Sequence, residues 1–168
     1  FRKNWSDCPF KKILVVDKYD KKVLGESLYD EVIEVGDHAE GACNGIRILQ
    51  GIRHVKTPYL ILLQDDFLLY DDVDTELIQN IVKLAKKYRA GNIRFTVDPA
   101  TEHRFSLKEN LLEYKCGMAY RLSMQAGLWN TKYLYKIFSK YKNGSDFERE
   151  GSFASVKYEE PILAWGGG

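Results

Sequence analysis

The sequence predicts an α/β fold: a mostly parallel mixed sheet flanked by helices, in a single domain. Three observations carry that expectation. Short apolar, β-branched runs alternate with amphipathic segments in the order β, β, α, β, α, β, β, α, and such alternation favours parallel strands with helices on both faces. Several of the strand-like runs end on aspartate: Asp17, Asp37, Asp65 with Asp66, and Asp98. The chain has 168 residues, 45% apolar and 29% charged, enough for one real core and ordinary for a globular protein.

The elements follow in order. "KKILVVD" (11–17) is a β-branched apolar run bounded by charges, as a buried strand requires. "EVIEVGD" (31–37) places Val32, Ile33 and Val35 ahead of a Gly-Asp turn, a second strand. From about 39 to 55, Ala42, Ile46, Leu49 and Ile52 fall near helical spacing, and the segment stops before Thr57-Pro58, where the residue preceding proline disfavours helix. A strand over 58–64 then runs into the acid pair. "DDVDTELIQNIVKLAKKY" has apolar residues at Val73, Leu77, Ile81, Ala85 and Tyr88, with acids at its start and lysines at its end. That is an amphipathic helix matched to its macrodipole. "NIRFTVD" (92–98) reads as a strand, and 111–129 as extended chain broken near Gly117. Over 130–141, Tyr133, Ile137, Phe138 and Tyr141 share a helical face after an Asn130 or Thr131 cap.

Composition narrows the function classes. A formal charge of +1 gives no global field for nucleic acid or an anionic membrane, and the basic runs "KNWSDCPFKK" and "KLAKKYR" read as solvated faces. Cys8, Cys43 and Cys116 are too few and scattered for a disulfide framework or zinc site, and read as reduced cytosolic thiols. No apolar run approaches the ~20 residues that span a bilayer. No leader pattern is visible, although the chain opens on "FRKNWSDCPF" rather than Met and ends on "WGGG". Both ends read as cut from something longer, with a domain over 1–165 and a Gly tail at 166–168, native turn or added scar.

The acids at strand ends are where chemistry is expected, because ligands of open α/β sheets bind beyond the carboxyl ends of strands. Adjacent carboxylates such as Asp65 and Asp66 suit a hard divalent cation, which takes one or two protein carboxylates plus substrate phosphate oxygens. Neighbours on a strand point to opposite sides, so one carboxylate meets the metal and the other a hydroxyl or a donor behind it. The alternative is a solvated turn ahead of a helix, the reading given to Asp71, Asp72 and Asp74. "SDFEREGS" (145–152) places Asp146, Glu148 and Glu150 in a helical turn. They offer a general base or, alternatively, first-turn acids behind a Ser145 cap. His38, His54 and His103 have no metal-site spacing. No G-x-S-x-G, Walker A or G-x-G-x-x-G motif is present. "LVVDKYD" departs from a phosphatase D-x-D by one position, and Trp129, Phe138 and Tyr141 read as core.

The combination resembles a family. A hydrophobic strand delivering "LLQDD" into an acidic loop resembles the aspartate motif of nucleotide-sugar-dependent glycosyltransferases with the GT-A fold. "NWSDCPFKKILVV", "YRLSMQAGLWNTKYLYKI" and "DFEREGS" resemble, in order, three further segments of a bacterial, surface-polysaccharide branch of these enzymes. The resemblance spans roughly Asn4 to Ser152. By resemblance, Asp66 is the metal ligand for Mn²⁺ or Mg²⁺. Asp65 lies near the donor ribose or sugar, with Gln64 and Asp37 also in donor binding. Gln64 stands at the motif's first position, where many relatives carry Asp, and so removes one charge. Glu148 matches the Glu of a Phe-Glu pair and is expected to deprotonate the acceptor hydroxyl, with Asp146 in reserve. Relatives usually begin with a base-binding strand upstream of "NWSDCPF"; that strand is expected but not seen here.

The function implied is transfer of a sugar from a nucleotide-diphosphate donor to a saccharide hydroxyl, metal-assisted and with inversion. The setting implied is the cytoplasm, including peripheral association with the inner face of the membrane, with no nucleic-acid partner. The alternatives are a sugar-phosphate nucleotidyltransferase and a GT-A-like binding domain without turnover.

Overall fold

The computed structural model describes residues 3–20, 22, 28–36 and 44–167. Its strands form two sheets. β1 (Ile13–Val16) and β2 (Glu31–Glu34) make a parallel pair in register Ile13↔Glu31 to Val16↔Glu34. The larger sheet contains β3 (Tyr59–Leu62), β4 (Asn92–Arg94), β5 (Arg104–Ser106), β6 (Leu111–Glu113), β7 (Gly127–Asn130) and β8 (Ile162–Trp165). Their order across the sheet is β3-β7-β4-β8-β6-β5. Only β4 and β8 pair in parallel; β3/β7, β4/β7, β5/β6 and β6/β8 are antiparallel.

Among the described residues three longer helices flank these strands: α1 (Asn44–His54), α2 (Thr75–Tyr88) and α3 (Thr131–Phe138). A composite helical segment over 144–157 follows. It runs through short α turns at Gly144–Asp146 and Ser152–Ala154, a π turn at Phe147–Gly151, and a 3-10 turn at Ser155–Lys157. Alternation along β3 divides the core. Leu60 and Leu62 join a cluster with Ile52 of α1, Leu134, Ile137 and Phe138, while Tyr59 and Ile61 join one with Ile78, Ile81 and Ala85 of α2. The sheet is therefore covered on both sides, as a strand of "YLIL" with no polar residue requires.

Local chemistry fixes the helix ends. Asp74 caps α2, its side chain accepting from the Leu77 N–H at 2.9 Å, and Asn130 caps α3 by accepting from the Tyr133 N–H at 3.0 Å. Each satisfies one of the donors left without a partner at a helix start. Gly45 sits where a Cβ would lie 2.2 Å from the Lys142 carbonyl oxygen, so the start of α1 meets the 139–143 turn as bare backbone. Gly117 adopts φ 87° in a run of turns and bends over 114–126, so the extended chain expected over 111–129 is present only as β6 and β7 at its two ends.

The α/β class and two-sided cover hold, but the expected parallel sheet does not. No helix lies between β4 and β7; the chain returns through the antiparallel β5–β6 pair and re-enters between β3 and β4, which forces antiparallel neighbours. Two further strands, β5 and β8, occupy segments where none was expected. β8 is central, pairing with β4 on one side and β6 on the other. The cap ahead of "SDFEREGS" is Asn143, which accepts from the Asp146 N–H, rather than Ser145.

Candidate functional site

β3 ends at Leu62, and the chain turns over 64–67 with the Phe67 N–H donating to the Gln64 carbonyl at 3.2 Å. Asp65 and Asp66 occupy the two central positions and are exposed. Gln64 is half-buried and follows Leu60 and Leu62 on the α1/α3 face; its Nε2 donates to the Met124 carbonyl at 3.1 Å. An aspartate there has no N–H to give. The glutamine at the first position of the motif thus ties the turn to the segment that enters β7.

Glu148 grips the same segment from the other side. Its Oε1 accepts from the Met124 N–H at 2.7 Å and from the Ser123 hydroxyl at 2.9 Å. Phe147 places it there. This ring is fully buried and packs against Phe138 at 4.9 Å, Trp129 at 5.9 Å and Tyr141 at 6.2 Å between centroids. With Phe147 locked into that aromatic cluster, the next residue of the π turn faces the 123–124 backbone. Single π turns inside helical segments are frequent at functional sites. Both bonds fall on Oε1, and among the described residues nothing bonds Oε2.

The 114–125 segment owes its shape to two buried arginines. Arg94, the last residue of β4, is 0% exposed. Its guanidinium lies 3.8 Å from the Tyr114 ring centroid and donates to the carbonyls of Asp98 (2.7 Å), Tyr120 (2.5 Å) and Arg121 (2.6 Å). Burial pushes its pKa below the ordinary arginine value, opposed by Tyr114, Glu148 and Asp98. Arg121 donates to the Tyr114 carbonyl at 2.9 Å and the Ser155 hydroxyl at 2.7 Å, linking the segment to the composite helix. Charged donors on buried carbonyls make stronger bonds than neutral ones. Together they fix the backbone on which Gln64 and Glu148 meet.

A third charge links the smaller sheet to this edge. Arg47 of α1 makes two bonds of 2.5 Å to the carboxylate of Asp17, which follows β1. Its pKa is held above the usual value first by those bonds, with Asp17 and then Asp65 adding attraction and partial burial opposing. Arg47 therefore joins the exit of β1 to α1.

The sequence-expected residues are thus partly gathered. Gln64 and Glu148 converge on Met124, and Asp65 lies within the field of Arg47. Asp66 is exposed beside Asp65. Asp146 is turned to its own helix start, where Asn143 Nδ2 donates to it at 2.9 Å and Arg149 at 3.5 Å. Asp98 is exposed, and its carbonyl serves Arg94. Asp37 lies outside the described residues. Among the described residues no three His, Cys, Asp or Glu side chains gather to hold a metal ion. The turn itself offers two exposed carboxylates, the complement Mg²⁺ or Mn²⁺ takes from protein when substrate phosphates supply the other ligands. No helix among the described residues is long and apolar enough to cross a membrane.

Arg47, Arg94, Arg121, Ser123 and Met124 were not singled out in the sequence. The available signal for Arg94 is its place between Ile93 and Phe95 in a strand buried on both faces, where a long cationic chain has no route to water. No family model, no curated protein and no solved structure matches the chain.

Proposed function

We propose that this chain is a glycosyltransferase domain of GT-A type that moves a sugar from a nucleotide-diphosphate donor to a saccharide hydroxyl. The observation that supports it is the convergence on Met124: Gln64, beside the acidic turn, and Glu148 hold the two ends of one residue. An acidic turn able to face a diphosphate and a carboxylate able to take a proton then share one sheet edge. β3, β4 and β8 all run toward that edge, so three strands present their carboxyl ends there.

In this reading Asp66 is the metal-holding residue, with Asp65 set toward the donor ribose or sugar. A divalent cation, when bound, supplies charge stabilisation to the departing nucleoside diphosphate. Glu148 Oε1 is occupied by the Ser123 and Met124 donors, which orient the carboxylate. Oε2 is the oxygen that takes the acceptor hydroxyl's proton as the new glycosidic bond forms at the anomeric carbon. Displacement from the face opposite the leaving group inverts that centre. Arg94 and Arg121 touch no substrate and act by fixing the 114–125 backbone.

Asp66→Ala tests the assignment. Transfer dependent on Mn²⁺ or Mg²⁺ is expected to disappear, while thermal unfolding stays close to wild type because Asp66 is exposed. Unchanged donor turnover in this variant removes the metal role. Metal-dependent nucleotide-sugar binding with no transfer by the wild-type chain replaces the enzyme by a binding domain.

A further inference from the structure

The acidic turn borders a second feature that the transfer reading leaves unused. On the α2 side of the sheet lies a cavity of about 240 Å³. Leu63 and Phe67, which bracket the turn carrying Asp65 and Asp66, both line it. Ile78 of α2 and Phe95, just past β4, complete apolar walls, and Thr96 and Gln125 are the polar residues among the lining. Gln125 adjoins Met124, so the walls come from the same segments that build the candidate site. The loop roofing the cavity is pinned: Asn4 Nδ2 donates to the Leu69 carbonyl at 2.5 Å and the Val73 N–H donates to the Asn4 carbonyl at 2.8 Å.

Apolar walls with a few placed polar groups are the usual make-up of a small-molecule site. The volume admits a single ring, and the mouth opens to solvent at exposed Leu68 and Thr96. We infer that this cavity binds a ring-sized apolar group bearing one oxygen, and that in the working enzyme the group is an aryl-type aglycone of the acceptor. The ring lies against Phe67, Ile78 and Phe95, with its oxygen toward the side of the lining that Thr96 and Gln125 form. The attached sugar is then carried over the sheet edge toward the acidic turn. The identity of the ligand as an acceptor rests on the glycosyl-transfer reading; the cavity's affinity for the ring does not.

The first measurement therefore needs no turnover. Benzyl alcohol titrated into the full chain is followed by ligand-detected NMR and by thermal unfolding. Saturable binding with a rise in Tm is expected, since a ligand of the folded state stabilises it by mass action. Val73→Phe, which fills the cavity from the loop, is expected to weaken that binding at least about tenfold, the scale of a lost apolar pocket contact. Thr96→Phe, at an exposed position on the lining, is the second variant should Val73→Phe fail to fold. No saturable binding to the wild type, or unchanged affinity in both variants, overturns the site.

The second measurement compares kcat/KM for benzyl and methyl glycosides of one sugar. The benzyl acceptor is expected to be favoured about tenfold or more, with the preference lost in Val73→Phe. Equal rates alongside benzyl alcohol binding overturn the acceptor assignment. Benzyl alcohol binding with no transfer to any acceptor supports the cavity and sinks the transferase reading instead.

Discussion

Glu148 is both a tether and, in the proposed reaction, a base, and two substitutions separate the roles. Glu148→Ala removes the acceptor of the Met124 N–H at 2.7 Å and of the Ser123 hydroxyl at 2.9 Å. Met124 is 3% exposed and Ser123 4%, so water cannot readily replace either bond. A hydrogen bond to a charged group contributes about 1.5–3 kcal/mol net. Glu148 itself is half-exposed, which discounts the charge, so the two bonds together come to about 2–3 kcal/mol. Glu148→Gln keeps an oxygen at the Oε1 position and should cost less than about 1 kcal/mol. Its amide is no base, and loss of a general base typically costs about 10²–10⁴-fold in rate. Urea unfolding gives the first quantity from the shift in midpoint at unchanged slope; release of nucleoside diphosphate in the presence of acceptor gives the second. Expected, then, is an alanine variant that is both less stable and inactive, and a glutamine variant that is stable and inactive. A glutamine variant with full activity removes Glu148 as the base. An alanine variant as stable as wild type refutes the tether, and with it the argument that the site is preorganised.

Arg94→Leu should cost about 3–5 kcal/mol in urea unfolding, because three carbonyls lose a charged donor and the Tyr114 face loses its cation; a change under 1 kcal/mol would mean that the 114–125 segment is held by other contacts. The Lys87–Glu109 pair should give the clearest acid-range signature. Lys87 first, then Ser106, hold the Glu109 carboxyl down from its ordinary 4.5 to about 2. A group whose folded pKa is depressed adds stability above its unfolded pKa and loses it as pH falls through the folded value. That contribution should therefore fade between roughly pH 4.5 and 2. Carboxyl NMR titration should place the Glu109 midpoint near 2 in the wild type, and Lys87→Ala should move it upward; a wild-type midpoint near 4.5 would show that the ion pair does not persist.

The parts of the fold legible in the sequence are those whose signal is local. α2 repeats an apolar residue every three or four positions between an aspartate cap and terminal lysines, and nothing distant is needed to place it. β3 was legible for a related reason: "YLIL" bounded by Thr57-Pro58 and an acid pair suits a strand covered on both faces. Pairing is different. β8 is a four-residue run after Pro161, too short to show a period, and it becomes a central strand only because β4, some seventy residues earlier, lies open beside it. The antiparallel return of β7 likewise depends on the chain having no helix after β4. Local pattern does not report that, since a strand reads alike in either direction.

The site divides along the same line. The carboxylates are visible as residue types, and resemblance gave them roles, but the contacts that organise them run through backbone atoms that any residue carries. Met124 enters through its N–H and carbonyl, so its identity holds no clue. Gln64 looked like a lost charge, yet the fold uses its amide N–H, a group that an aspartate lacks. Glu148 and Asp146 stand two apart in a helical turn with similar local chemistry. Only the burial of Phe147 among Trp129, Phe138 and Tyr141 decides which of them faces Met124 and which is consumed by Asn143 and Arg149. Which carboxylate faces the 123–124 backbone thus follows from the packing of the aromatic residue before it. Loosening that packing should disable Glu148 without touching it: Phe147→Leu, with its ring contacts gone, should lower transfer through a misplaced base while leaving donor binding at the acidic turn intact.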